Sequence, residues 1–218
     1  MAESRKYAFD SPGGIFGLTV FFFFFVILSI LTFDHLVIDA VVDEYSMTQS
    51  YLPESTMRKI TTRANNWYNT IIVDSGFEAG TYALFLPNRE QMRTARQMGK
   101  LGEKEFPWFE KKLDAFFYCI HQFLFRLSHL LAWYPFLLLL LIPSIIDGWM
   151  RRAIKKTNFD YTSPFFSHYS KTTIIYLILG SWCALWVPLS LPPWLIPLSY
   201  GVIGIAAWIL TGNIMKRF

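Results

Sequence analysis

The sequence predicts an all-α membrane protein: four transmembrane helices, with a small helical external domain between spans 1 and 2. Three observations carry this reading. Four segments are apolar enough to cross a bilayer, which takes roughly 20 helical residues at about 1.5 Å of rise each. The short polar segments beside them carry clustered Lys and Arg, and the stretch after the first span has helical patterning of its own. The spans are residues 15–33, 130–146, 172–189 and 194–211.

Orientation follows from the segment after the second span, where Arg151, Arg152, Lys155 and Lys156 abut a long apolar run. Basic residues close to a span end stay on the cytoplasmic side. Residues 147–171 are therefore read as a basic cytoplasmic loop. The alternation of spans then puts both termini, residues 1–14 and 212–218, in the cytoplasm, where Arg5, Lys6, Lys216 and Arg217 agree with it. The inside segments carry nine Lys/Arg against four acids, whereas residues 34–115 carry ten against twelve. Because the external segment is long, its own charges say little about orientation, and the topology rests on the short loops.

The first span follows a basic start and contains the run Phe21–Phe25, so a signal peptide is the competing reading. Its apolar stretch exceeds the usual 7–15 residues of such a segment, and Asp34-His-Leu stands where a small-residue cleavage site would be needed. It reads as an uncleaved anchor.

The second apolar region, from about Leu113 to Ile146, is longer than a membrane requires and contains His121, Gln122, Arg126 and His129. Measured back from Asp147 and Arg151, Trp133 and Tyr134 fall at the outer headgroup level, as an aromatic belt expects. Arg126 and both histidines then lie at or beyond the outer interface. Ionisable residues inside a span are functional candidates by default, and His121, Phe125 and His129 share a helical face. Interfacial packing is nevertheless the favoured reading over a proton relay, because no acidic residue is expected inside any span to partner them. A metal shared by His121 and His129 is excluded by spacing, since eight residues are about 12 Å of helix.

Residues 34–129 are read as the external region, including an outward extension of the second membrane helix. Leu36, Val37, Ala40 and Val41, interleaved with Asp34, Asp39, Asp43 and Glu44, read as the first helix continuing out of the bilayer. Met57, Ile60, Ala64, Trp67 and Ile71 recur at three- and four-residue spacing after Pro53-Glu-Ser55, which predicts an amphipathic helix. Asn88–Lys100 reads as a second, more polar helix closed near Gly99 and Gly102. Phe106-Pro-Trp-Phe109 marks re-entry into the membrane helix, with Pro107 suited to a first turn. Spans 3 and 4 form a hairpin around Leu191-Pro-Pro-Trp194, a turn too short to be expected to house anything. Gly201, Gly204, Ala207 and Gly212 are a small-residue stripe suited to close helix packing within the chain.

No phosphate loop, metal-ligand spacing, nucleophile elbow or paired intramembrane carboxylates are present, so the chain is expected not to be an enzyme and no cofactor is expected. Cys119 and Cys183 read as small buried hydrophobes before a disulfide. Direct sequence-specific nucleic-acid binding would want a longer basic surface with a groove-reading element. On charge alone, the basic loop orients the spans and attracts anionic membrane lipids.

The run Pro143-Ser-Ile-Ile-Asp147-Gly148-Trp-Met-Arg151-Arg152, then Ile154-Lys155-Lys156, Ser163-Pro164 and His168-Tyr-Ser-Lys171 resembles a family of conjugative-element inner-membrane proteins of unknown function. These are encoded beside the type IV coupling ATPase in integrating conjugative elements and related plasmids. The resemblance implies a bacterial inner-membrane location, a periplasmic external region, and a role as an accessory component of conjugative DNA transfer by type IV secretion. It implies partnership with the coupling ATPase or other secretion-system proteins. The residues expected to dock a partner or lipid are Asp147, Gly148, Arg151, Arg152, Lys155, Lys156, His168 and Lys171. Two other readings remain: a small transporter or ion pathway, though the two halves do not repeat each other, and an exclusion or signalling protein acting through its periplasmic region.

Overall fold

The computed structural model describes residues 12–86, 101–158 and 164–213. Seven α-helices are present among them, and no strand: α1 Pro12–Thr32, α2 Asp34–Tyr51, α3 Glu54–Tyr68, α4 Phe77–Phe85, α5 Leu101–Thr157, α6 Pro164–Trp186 and α7 Leu195–Gly212. The helix read over Asn88–Lys100 lies outside the described residues. Over Pro107–Thr157, α5 is long and apolar enough to cross a membrane, as is α7; α1 and α2 add a third crossing if their bent pair is one broken span.

Several boundaries differ from those the sequence suggests, for local reasons. The chain does not run straight from α1 into α2 but turns by 100° around Phe33. Thr32 donates its hydroxyl to the Leu28 carbonyl at 2.8 Å, a back-bond of the kind that bends helices. α5 starts by Leu101, ahead of Pro107, and passes through Pro135 and Pro143 without a break. It also runs on to Thr157, so the first half of the basic loop is helix. α6 stops at Trp186, three residues short of the expected span end, because Pro188 cannot continue a helix and disfavours helical backbone at the residue before it.

In the amphipathic helix, Met57, Ile60 and Ala64 are buried as the spacing predicts, but Ile71 is exposed and Ile72 is buried instead. The chain widens into a π-turn over Asn69–Val73. One extra residue in a turn advances the helical register by one, which moves the inward position from 71 to 72. α4 is a helix the sequence pattern did not suggest; Gly76 starts it at φ 72°, a left-handed conformation that glycine adopts without cost.

Contacts divide the chain into two compact units: residues 1–43, 67–122 and 186–190, and residues 44–66, 123–185 and 191–218. In the first, Val26 and Ile30 of α1, Val37 of α2 and Ala115 and Cys119 of α5 form one apolar cluster, with Phe22, Phe116 and Trp186 against it. Lys112 meets Asp34 at 2.7 Å beside that cluster. Tyr68 donates to Glu78 at 3.3 Å, and Tyr82 donates to Asp114 while stacking on Phe117. Neither cysteine forms a disulfide, and the Cys119 thiol faces the Trp186 carbonyl.

In the second unit, Met57, Ile60 and Ala64 of α3 pack on Phe125 of α5, with Leu52 and Ala132 around them. Ser128, fully buried, donates to the Ile60 carbonyl at 2.9 Å, so a small residue allows α3 and α5 to touch closely. α7 lies along α5 through its small residues. A Cβ on Gly204 would stand 3.5 Å from Leu140, and one on Gly212 would stand 3.6 Å from the Gly148 carbonyl. The stripe expected for close packing within the chain does pack at Gly204, Ala207 and Gly212, while Gly201 touches nothing within 4 Å.

Candidate functional site

Two places in the second unit concentrate polar chemistry. The first is a buried ion pair. Glu44, on α2, shares a helical face with Thr48 one turn on, and both are buried. Arg126, on α5, is 4% exposed. Its Nε donates to both Glu44 oxygens, at 2.8 and 3.1 Å, and its Nη2 donates to Oε2 at 2.5 Å. Nη1 donates to the Ala184 carbonyl near the C-terminus of α6, and the Leu191 N–H donates to Glu44 Oε2 at 3.4 Å. The fork-shaped guanidinium thus ties α2, α5 and the end of α6 together, the geometry Arg supplies and Lys does not, and the Glu44 carboxylate adds the Pro-Pro turn.

Arg126 thus has an acidic partner that its sequence context does not name: the expectation concerned only acids inside a span, and Glu44 was read onto a helix running straight out of the bilayer. A weak signal was available: a lone cation in a long apolar helix has to be paired or reach water, and Glu44 lies seven residues after buried Val37, on the same helical face. Nothing in the spacing of residues 82 apart names the partner.

Next to this pair is a cavity of about 190 Å³, lined mainly by apolar groups of α6, α7 and the turn between them, with Glu44, Arg126 and His129 on one side. The turn Leu191-Pro-Pro-Trp194 was expected to house nothing, and the cavity corrects that: Leu191, Pro192 and Pro193 line it. His129, buried, accepts the Trp133 indole N–H at 3.1 Å on its Nε2. His121, in the other unit, packs edge-on against Tyr68 with ring centroids 5.5 Å apart. No cluster of His, Cys, Asp or Glu that could hold a metal occurs among the described residues.

The second place is the end of α5. Asp147 accepts the Trp208 indole N–H and pairs with Arg151 at 3.2 Å, while the Arg151 guanidinium lies 4.2 Å over the Trp208 ring. Gly148 is where α5 and α7 cross; a Cβ there would collide with Thr211 and stand 2.8 Å from the Trp208 carbonyl. Gly148 therefore does more than end a span. Lys155 donates to Asn213 Oδ1 at 2.9 Å and to the Gly212 carbonyl at 3.4 Å, so it closes the C-terminus of α7, where a cation suits the unpaired carbonyls and the helix dipole.

Of the eight residues expected to form a docking surface, Asp147, Gly148, Arg151 and Lys155 are thus engaged within the chain. Lys156, His168 and Lys171 are exposed, and Arg152 is half-buried, its Nε without a hydrogen-bond partner among the described residues.

Residues 35–214 match the profile of a family described as IncC plasmid conjugative DNA transfer protein DtrJ-like. The chain belongs to the DtrJ-like family. The match covers the ion pair, the cavity and the α5–α7 crossing, and it includes the 143–171 run on which the resemblance to conjugative-element proteins was drawn. Family membership places the protein in conjugative DNA transfer. Neither the curated proteins nor the solved structures yield a match.

Proposed function

We propose that this protein is an accessory inner-membrane component of a conjugative DNA-transfer apparatus, working as a partner of the coupling ATPase or of the secretion channel. The observation that carries this reading is the DtrJ-like match over residues 35–214. In it, α1, α5, α6 and α7 cross the membrane, both termini are cytoplasmic, residues 34–129 face the periplasm, and the protein has no catalytic centre of its own.

The docking surface in this reading is the cytoplasmic end of α5 with the start of α6. Asp147, Arg151 and Trp208 fix that corner, and Lys155 closes α7. Lys156, His168 and Lys171 are exposed and free to meet a partner in this reading. A rigid, exposed basic rim suits an acidic protein surface or anionic lipid headgroups.

Two experiments test the reading. Ser75→Cys should react with an impermeant maleimide from outside and Asn158→Cys only after permeabilisation; labelling of residue 158 from outside would reject the topology. Lys156→Gln with Lys171→Gln leaves Arg151, Arg152 and Lys155 to orient the spans. Transfer frequency and recovery of the coupling ATPase should both fall at least tenfold, and unchanged values would reduce the basic segment to an orientation signal.

A further inference from the structure

The cavity beside Glu44 and Arg126 is open to one side. Gly180, on α6, lines it and is exposed, and a Cβ built there would meet nothing within 4 Å. Of the other residues lining it, Tyr176 on α6 is 51% exposed and Leu195 at the start of α7 is 36% exposed. The opening is therefore lateral, between α6 and the start of α7.

We propose that this cavity holds one acyl chain of a membrane phospholipid, inserted sideways between α6 and α7. The inference rests on the proposed function's reading that α6 and α7 both cross the membrane, for which α7 is long and apolar enough. Three observations favour that occupant.

The medium at the mouth is the first. A lateral opening on an apolar crossing helix faces hydrocarbon, so acyl chains are the molecules present at highest concentration. Size is the second: a cavity of about 150 Å³ takes up a benzene ring, so 190 Å³ suits a short run of methylenes and not a headgroup. The third is the state of the polar groups. Arg126 is committed to Glu44 and the Ala184 carbonyl, and Glu44 also accepts from Leu191, so the ion pair is turned on itself and the remaining walls are mainly apolar. A headgroup would find few donors there, whereas an alkyl chain needs none and gains dispersion contacts with the apolar walls.

The test uses the full chain purified in a mild detergent and examined by native mass spectrometry. The wild type is expected to retain one phospholipid per chain through detergent exchange, and long-chain phosphatidylglycerol is expected to raise its unfolding temperature more than the dihexanoyl form. Gly180→Leu blocks the mouth and should cut the lipid-bound fraction at least tenfold with unchanged helicity. If that variant does not fold, Ser199→Leu, from the opposite wall, gives the same reading.

A lipid-free wild type overturns the proposal, and so does equal retention in a folded mouth-blocking variant. Loss of the lipid in Lys156→Gln, with retention in Gly180→Leu, also overturns it, because the lipid is then held by its headgroup on the basic rim. These outcomes separate from failure of the topology. Labelling of residue 158 from outside would move the cavity to the other leaflet and leave the lipid count unchanged, whereas a lipid-free wild type would leave the labelling pattern intact.

Discussion

Arg126 and Glu44 stand 82 residues apart in the chain and meet as a buried ion pair at 2.5 Å, with side chains 4% and 5% exposed. Removing one member of such a pair leaves an uncompensated buried charge, which costs about 3–5 kcal/mol, while replacing both by apolar residues of similar volume is often neutral. Glu44→Leu or Arg126→Leu alone should therefore lower the unfolding temperature sharply in detergent. Glu44→Leu with Arg126→Leu should recover most of the loss. Equal loss in the single and double variants would show that the pair is not the unit of stability.

The crossing of α5 and α7 at Gly148 makes a second prediction. Gly148→Ala drives a methyl into Thr211 and towards the Trp208 carbonyl, and overpacking of this kind costs about 1–3 kcal/mol. Gly201→Ala, on the same α7 but with nothing within 4 Å, should be neutral or stabilising by about 0.5–1 kcal/mol, since alanine is the better helix former. Thermal unfolding of the two variants side by side checks the contrast.

His129 is expected to be dispensable for transfer. Its ring accepts the Trp133 indole hydrogen, a structural contact whose loss costs about 1 kcal/mol. Transfer by His129→Ala and by His121→Ala should stay within about twofold of wild type at equal protein level. Loss of transfer in both would favour the ion-pathway reading.

Tyr68 carries a pH signature. Burial first, and the neighbouring Glu78 carboxylate second, push its phenol up to about 12 from the ordinary 10.0. A folded-state pKa above the unfolded value means that folding favours the protonated phenol. The stability it contributes is complete below about pH 10 and is lost as pH rises towards 12. Tyr68→Phe should flatten the pH dependence of the unfolding midpoint over that window, and an unchanged slope would place the phenol in water.

Much of the fold was legible in the sequence, because long apolar runs, basic flanks and three-to-four spacing are local properties. Met57, Ile60 and Ala64 are buried where their spacing puts them. The spacing then misleads at Ile71, since a π-turn adds one residue to a turn and leaves no mark in the hydrophobic pattern. The candidate site was less legible. Arg126 was visible as an ionisable residue in an apolar helix, but its partner was hidden, because the turn at Phe33 redirects the helix that carries Glu44. The basic segment was visible too, yet a charge count does not distinguish Lys155, spent on the end of α7, from Lys156, which is exposed.

By itself the sequence determined the helical class, the apolar runs, the Pro-Pro turn, the basic segment and the likeness to conjugative-element proteins. All are set by composition and period within a few helical turns, where partition into lipid and helix formation are decided. Only the tertiary structure decided that Glu44 closes on Arg126, that Gly148 is a crossing point, and that the Pro-Pro turn lines a cavity. Each of these depends on which faces of sequence-distant helices meet, and that is fixed by packing and by the pairing of buried polar groups, which no local pattern records.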